Sequence, residues 1–181
     1  LMTHAIRNTE DVSFFRHDGF NWQSMREVVA EVISEQAFGR GASTISMQLV
    51  KNIFLSRERE LGRKFSEMFL TYWMNEFVTK ERVLEIYLNI IEFGPGINGL
   101  SEAAEYYFGR EPTDLTVGEA IFLVAIVPSP RRYHSFYEEG AISDRLWRRM
   151  QFYTNKMLER EMISEAEHQE AMLGPPEFYI R

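Results

Sequence analysis

Apolar residues recur every three or four positions along most of the chain, which is the spacing of amphipathic helices. Caps and breakers divide this pattern into about eight helices. They are predicted at residues 25 to about 37, 45–54 after a cap at Ser43 or Thr44, about 59 to 73, 80–90, 101–109, 116–127, 143–159 and 164–173. Strict alternation is almost absent, and residues 128–136 are predicted to be extended because of their prolines. We therefore predict a mainly α fold, with one domain over residues 1–181.

Three of these helices carry predictions about burial. The helix at 116–127 is apolar nearly all round and should be fully buried. The apolar face of the helix at 25–37 should join the core, with a membrane surface as the alternative. In the helix at 59–73 the apolar positions follow a helical period, and we expect them in the core. They are Phe65, Met68, Phe69, Tyr72 and Trp73.

The composition excludes several classes of protein. The 181 residues are 45% hydrophobic, which suits one well-filled core. The absence of cysteine excludes disulfides, thiolate metal sites and cysteine catalysis. A net charge of −7 argues against a nucleic-acid partner. No apolar run is long enough to span a bilayer. Because the pattern starts in progress at Leu1, we expect a fragment of a longer, membrane-anchored protein.

Residues 39–67 differ in charge from the rest of this acidic chain. They open with small and hydroxyl residues, continue as an apolar helix and end in several cations, with six Lys/Arg against three Asp/Glu. Glu67 lies four residues after Arg63 and eight after Arg59, so these three side chains share a helix face. A surface ion-pair ladder is the alternative, but two cations with one acid on this face are unbalanced for a ladder. We interpret the stretch as the anion-binding half of an active site.

The segment EDVSFFRHDGFNW, residues 10–22, sets two acids before several aromatic residues. It fits a surface turn, and it also fits a carboxylate held against an aromatic wall, where desolvation would make a general base. The residues alone favour the turn.

Two other possible sites are not supported by the sequence. The glycines at 94, 96 and 99 spell GxGxxG, but they follow a helical pattern rather than a strand, so no dinucleotide site is predicted. The four histidines lack metal-ligand spacing.

Five stretches resemble, in order, the motifs of one family. EDVSFFRHDGF at 10–20 resembles EDxxFxxHxG, GASTISMQLVKN at 41–52 resembles GGSTITQQLxKN, and RKFSE at 63–67 resembles RKxxE. VLEIYLNIIEFGPGINGLSEAAEYYFG and LTVGEAIFLVAIVPSPRRY continue the likeness, which spans roughly residues 8–172. The chain is identified as a member of the family 51 peptidoglycan glycosyltransferases, found in class A penicillin-binding proteins and monofunctional transglycosylases.

The resemblance implies a mainly α, lysozyme-like fold with a small membrane-contacting subdomain after the first motif. It implies polymerisation of lipid II into a β-1,4 glycan at the outer face of the bacterial cytoplasmic membrane, with release of undecaprenyl diphosphate and inversion. The implied partners are lipid II, the nascent glycan, the membrane surface and other cell-wall synthesis proteins. The implied cofactor is a loosely bound Mg²⁺ or Mn²⁺.

The same resemblance assigns roles to individual residues. Glu10 takes the place of the general base, and Glu67 that of the second essential glutamate, which meets the leaving diphosphate directly or through the metal. The substrate-binding positions are Asp11, Ser43, Thr44, Gln48, Lys51, Asn52, Arg59, Arg63 and Lys64. Lys51 and Arg59 match the diphosphate-binding cations, with Arg63 and Lys64 in support.

Several positions depart from the family pattern. Met47 replaces a motif glutamine, Ser66 stands where lysine is frequent, and Asn75 replaces a glutamate. Met47 and Ser66 are expected to remove polar contacts near the diphosphate. Two alternatives to the transferase follow: a muramidase using Glu10 as general acid, which the cations disfavour, and a degenerate member that binds lipid-linked saccharides without turnover, which the intact glutamates disfavour.

Overall fold

The computed structural model describes residues 1–22, 43–54 and 61–178, and for residues 61–65 it describes the backbone alone. Several predictions therefore lie outside the described residues. These are the helix at 25–37, the membrane-contacting subdomain, the glycine-rich start of the second motif, the position of Arg59 and the side chains of Arg63, Lys64 and Phe65.

The described part of the chain is mainly helical, which confirms the predicted fold class. Its α-helices are α1 Met2–Glu10, α2 Ile45–Phe54, α3 Leu61–Phe77, α4 Lys80–Ile90, α5 Leu100–Phe108, α6 Val117–Ile126, α7 Pro130–Glu138, α8 Asp144–Glu159 and α9 Glu165–Met172. A 3-10 helix at Phe14–Arg16 follows α1, and two short strands, β1 Glu92–Gly94 and β2 Ile97–Asn98, form an antiparallel hairpin. None of these described helices is both long and apolar enough to cross a membrane.

Two elements differ from the sequence-based predictions. The sequence showed no sign of α1, which ends at Glu10. The prediction that residues 128–136 are extended is wrong, because α7 begins at Pro130. Proline is well suited to the first turn of a helix, where its missing N–H has no helical partner to lose. The prolines here separate two helices rather than preventing the second one.

The chain divides into two compact units, which we describe separately. Unit 1 comprises Leu1–Thr9 and Leu88–Arg181, and unit 2 comprises Glu10–Tyr87. The prediction of a single domain stays a prediction. In unit 1, α6 packs against α8 and α9, and nine of its ten residues are buried. Thr116 and Glu119 form the predicted capping box at its start, so the side chain of a buried acid pairs with the backbone N–H of Thr116.

Unit 2 contains the packed pair α2 and α3, and the orientation of α3 corrects one prediction. Phe69, Tyr72 and Trp73 were expected in the core, yet they are 63%, 50% and 43% exposed. The face of α3 that meets α2 is polar instead. It carries the buried Glu67 and Thr71 and, one turn further, Asn75, whose Oδ1 accepts a hydrogen bond from Ser46 of α2 at 3.2 Å. Helical period identifies an apolar face, but it does not decide which face packs.

Candidate active site

Glu10, the predicted general base, is the last residue of α1 and is held by a short chain of hydrogen bonds. Gln48 of α2 donates from Nε2 to Glu10 Oε2 at 2.9 Å. Tyr87 of α4 in turn donates its hydroxyl to Gln48 Oε1 at 2.8 Å. A glutamine held at its oxygen has its N–H₂ group fixed in direction, so the carboxylate of Glu10 is oriented by two elements of unit 2.

Tyr87 is fully buried within this chain of contacts. Burial, and then the negative charge of Glu10, raise the pKa of Tyr87 well above its usual value. The phenol therefore keeps its proton at physiological pH and remains a donor to Gln48. The sequence predicted Tyr87 as an inward-facing residue, and the structure adds this hydrogen-bonding role.

Asp11 is buried and joins three parts of unit 2. Both of its carboxylate oxygens lie 3.0 Å from His17 Nε2, and Oδ2 also accepts the backbone N–H of Ile45 at 3.2 Å. Ile45 is the first residue of α2, where unpaired N–H groups and the helix dipole favour a negative charge. Asp11 thus anchors the start of the helix that carries Gln48.

Thr44 also stabilises the start of α2. Its hydroxyl donates to the carbonyl of Gly19 at 2.6 Å and accepts the N–H of Met47 at 3.2 Å. The prediction that Ser43 or Thr44 caps this helix is confirmed for Thr44. The segments that resemble the first two family motifs, residues 10–20 and 41–52, are joined by hydrogen bonds that involve Asp11, Thr44 and Gln48.

The structure describes only part of the predicted anion-binding half of the site. Glu67 is 3% exposed on the polar face of α3. Lys51 and Asn52 are exposed in the last turn of α2, and Ser43 is half-buried just before it. That Arg59, Arg63 and Glu67 share a helix face stays a prediction. The predicted roles in substrate binding stay predictions for every residue of this half of the site.

The departures from the family pattern have structural positions. Met47 is 1% exposed, so a ligand would reach it only if the interior of unit 2 opened. Asn75 Nδ2 donates to the carbonyl of Thr71 at 2.8 Å. A side chain at Gly19, whose φ is +94°, would come within 2.6 Å of the same Nδ2. Asn75 and Gly19 thus share a close contact that leaves no space for a larger residue at position 19.

No group of three or more His, Asp or Glu side chains within the described ranges could hold a metal ion. Glu67 supplies one buried carboxylate. Mg²⁺ commonly binds through one or two carboxylates together with substrate phosphates and water.

Sequence reasoning missed two further residues of unit 2. His17, the histidine of the first motif, is the partner of Asp11. Lys80, at the start of α4, places its ammonium 4.6 Å from the centroid of the Phe14 ring. The motif pattern contained the signal for His17, whereas Lys80 looked like an ordinary charged residue in the first turn of a helix.

Residues 1–158 match the family model described as transglycosylase, and the chain belongs to that family. It is 35% identical over 156 residues to a biosynthetic peptidoglycan transglycosylase of Nitrosomonas eutropha, covering 86% of this chain and 62% of the relative. It is 42% identical over 136 residues to the protein of the same name from Bordetella avium, covering 73% of this chain and 57% of the relative. The chain thus spans about three-fifths of the length of these curated relatives.

Among solved structures, the chain is similar to penicillin-binding protein 1A from Haemophilus influenzae. The TM-score is 0.48 and the sequences are 24% identical, with 74% of this chain and 17% of that chain covered.

Proposed function

We propose that this protein is a peptidoglycan glycosyltransferase that polymerises lipid II into β-1,4-linked glycan strands, with Glu10 as general base. Membership of the transglycosylase family and the names of the relatives support this reaction class. The observation that carries the residue assignment is the hydrogen-bond chain from Tyr87 through Gln48 to Glu10. A catalytic carboxylate must be held in a defined direction. These two hydrogen bonds hold the Glu10 carboxylate in that way from the interior of unit 2.

In the proposed reaction the carboxylate of Glu10 takes the proton from the 4-hydroxyl of the acceptor sugar. The resulting oxygen nucleophile attacks the anomeric carbon of the donor, and a carbon–oxygen bond forms on the face opposite the diphosphate. The bond to the diphosphate breaks with its electron pair, and undecaprenyl diphosphate leaves. One bond forms and one breaks with inversion, which converts an α-linked diphosphate into a β-linked glycan.

The leaving group needs its developing negative charge neutralised. Lys51 is an exposed cation two turns into α2, one turn after Gln48, and it suits this task. Arg59, Arg63 and Lys64 are proposed to complete the cationic surface. Glu67 is proposed to act at the same diphosphate, and a bound Mg²⁺ or Mn²⁺ would supply further neutralisation of its oxygens.

The proposed substrates are lipid II and the nascent glycan, and the proposed location is the outer side of the bacterial cytoplasmic membrane. The aromatic surface of α3, formed by Phe69, Tyr72, Trp73 and Phe77, supports contact with a membrane surface. Aromatic residues with a polar edge are enriched where hydrocarbon meets water. Other cell-wall synthesis proteins remain proposed partners by resemblance alone.

The first experiment compares glycan formation from labelled lipid II, in detergent with Mg²⁺ or Mn²⁺, by the parent chain and its Glu10→Gln variant. Glutamine keeps the size of the side chain and removes its basicity, so we expect polymer from the parent alone. Glu76→Gln, an exposed change in the same unit, is the matched control and should polymerise like the parent. Thermal unfolding of all three proteins checks that each one is folded.

Each other outcome separates the proposed function from an alternative. Near-parental turnover by Glu10→Gln removes Glu10 from the role of base. Lipid II bound by the parent without any polymer favours the degenerate binding protein. Cleavage of preformed glycan by the parent, without polymer formation, favours the muramidase.

A further inference from the structure

The surface of unit 1 carries arginines that the proposed mechanism does not use. Residues 130–156 hold six Lys/Arg against three Asp/Glu, although the whole chain has a net charge of −7. Three exposed arginines in this stretch have no hydrogen bond or ion pair among the residues that the structure describes. They are Arg132, Arg145 and Arg148. Their guanidinium groups are therefore free to bind an external anion, with several N–H donors each.

Other exposed arginines of the described chain are neutralised by acids. Arg110 Nε lies 3.2 Å from a carboxylate oxygen of Glu119, and Arg82 Nη1 lies 2.7 Å from one of Glu85. A single unpaired arginine on a surface would indicate little, because a surface ion pair contributes little stability. Several of them in one region of an acidic chain create a local positive potential that attracts anions.

The two helices that carry the unpaired arginines contact each other. Arg149 of α8 donates from Nη1 to the hydroxyl of Tyr133 in α7 at 3.1 Å, and its guanidinium carbon lies 5.7 Å from the centroid of that ring. Each member of this pair directly follows an unpaired arginine in the chain, Arg132 in α7 and Arg148 in α8. Arg145 lies three residues before Arg148, on the same face of α8. The contact therefore places the arginines of both helices in one region of the surface.

The same face of α8 also exposes an aromatic ring. Phe152 lies four residues after Arg148 and is 55% exposed, whereas four other side chains of α8 are buried in the fold. Lys156 places its Nζ 5.8 Å from the centroid of the Phe152 ring, so a further cation borders it. A helix face that combines Lys and Arg with an exposed aromatic residue is typical of a segment that lies at a membrane surface.

The surface formed by Arg132, Arg145, Arg148 and Phe152, which we call the arginine face, suits one class of ligand. A small anion in solution would use its cations alone. A membrane phospholipid offers phosphate to the arginines and the edge of the hydrocarbon to the ring. The acids of this stretch are Glu138, Glu139 and Asp144, and they leave it with an excess of positive charge. An anionic phospholipid is thus the ligand that matches both the charge and the ring.

We propose that the arginine face of unit 1 binds anionic phospholipid headgroups, with its arginines at the phosphates and the Phe152 ring at the edge of the hydrocarbon. This contact belongs to unit 1 and is additional to the aromatic surface of α3 in unit 2. The inference rests on the proposed membrane location. Vesicle binding requires no turnover, so it is measured without lipid II.

The first test measures binding of the full chain to two kinds of vesicle: phosphatidylcholine alone, and equal parts of phosphatidylcholine and phosphatidylglycerol. The double variant Arg145→Gln with Arg148→Gln removes two unpaired arginines. The matched control, Arg82→Gln with Arg110→Gln, removes two exposed arginines that have acid partners, so both variants have the same net charge. Thermal unfolding checks the fold of each protein.

We expect the parent to prefer the anionic vesicles and the double variant to bind them roughly thirtyfold more weakly, because each arginine at an anionic surface contributes about a fivefold factor. The control should bind like the parent. Arg132→Gln should weaken binding by about fivefold, which tests whether α7 joins the same contact. At about 1 M salt the preference of the parent should disappear, because the screening length falls to about 3 Å.

A second test locates the contact on the molecule, since residues 39–67 are also cationic. The chain has no cysteine, so Phe152→Cys accepts one environment-sensitive fluorophore. Ala166→Cys, at an exposed position of α9, is the matched control. Emission from position 152 should shift to the blue on anionic vesicles, because the probe leaves water, and emission from position 166 should not change.

Four results would overturn the proposal. Equal binding of the parent to both kinds of vesicle would remove the anionic lipid as the ligand. Equal weakening in the double variant and its control would reduce the effect to net charge. Unchanged emission from position 152 would place the contact elsewhere. Loss of the cooperative thermal transition in the double variant would make these arginines residues required for folding.

Failure of the proposed function gives a different pattern of results. A parent that makes no polymer but binds anionic vesicles through position 152 retains the inference. A parent that polymerises lipid II without preferring anionic vesicles loses the inference and keeps the function. Self-association of the parent without vesicles, lost in the double variant, would assign the arginine face to a second copy of the chain and overturn the lipid proposal.

Discussion

The two units bury different kinds of side chain. In unit 1, α6 is surrounded by apolar and aromatic residues, and its one acid, Glu119, serves the capping box and an ion pair with Arg110 at 3.2 Å. In unit 2 the described interior includes two carboxylates, Asp11 and Glu67, and three hydroxyls, Thr44, Ser46 and Thr71. Among the described residues unit 1 also buries Asn8, His134 and Thr154, but the five buried polar side chains of unit 2 lie within or beside the motif segments and include two carboxylates.

This difference follows from what each kind of burial achieves. Apolar contacts stabilise a fold in proportion to the area removed from water and require little directional precision. Buried polar groups stabilise only when their partners are correctly placed, and the same requirement holds reactive groups in one orientation. Mutations in unit 1 should therefore change mainly the stability of the fold, and mutations in unit 2 should change mainly the rate of turnover.

The largest expected effect is on the stability of unit 1. Phe122 of α6 is fully buried and packs edge-to-face with Tyr107 at a ring distance of 5.5 Å. Phe122→Ala should lower the free energy of unfolding by about 3–5 kcal/mol, with turnover per folded molecule retained. Chemical denaturation measures the first quantity. Phe152→Ala, at a position that is 55% exposed, is the control and should change stability little.

The next effect concerns the two buried glutamates. Glu67→Gln should lower turnover by on the order of 10²–10³-fold, the loss typical of removing one group that stabilises transition-state charge. Glu119→Gln removes an acid of similar burial from unit 1 and should leave turnover near the parental value. Both variants are compared by initial rates of glycan formation. Parental turnover by Glu67→Gln would contradict a role for Glu67 at the diphosphate.

A smaller effect is expected for the hydrogen bonds that orient Glu10. Tyr87→Phe removes the hydroxyl that holds Gln48, and we expect about a tenfold loss of kcat, equal to about 1.4 kcal/mol. Tyr106→Phe, at a half-buried tyrosine of unit 1, is the control and should keep the parental rate. An equal loss in both variants would show that the tyrosine hydroxyl acts other than through Gln48.

The raised pKa of Tyr87 adds a pH dependence to the same variant. The folded state holds the phenolic proton more tightly than the unfolded state, so this contribution to stability is complete below the usual tyrosine pKa of about 10 and is lost as pH rises above it. The melting temperature of the parent should therefore fall more steeply above that pH than that of Tyr87→Phe.

In unit 1, α6, α8 and α9 were well predicted because their signals are local, whereas α1 and α7 were not. Thr116 with Glu119 and Ser164 with Glu167 form capping boxes in both the sequence pattern and the structure. The segment 116–127 is apolar on every face, so no choice of packing face was needed. At α3 the choice existed and the prediction was wrong, because Glu67 and Thr71 are buried and the aromatic residues remain exposed.

The sequence by itself determined the mainly α class, most helix boundaries and, through ordered motifs, the family and the residues of its first three motifs. These properties depend on the spacing of residues along the chain, which can be read directly from the sequence. Only the tertiary structure decided that Tyr87 holds Gln48, that His17 and Ile45 share Asp11, and that the half-buried Lys80 places its Nζ over the Phe14 ring. Such contacts join residues that are up to 66 positions apart or belong to different elements, and they depend on which face of each helix is turned inward. Burial then changes the chemistry of each group, because the same lysine or tyrosine side chain behaves differently once water no longer surrounds it.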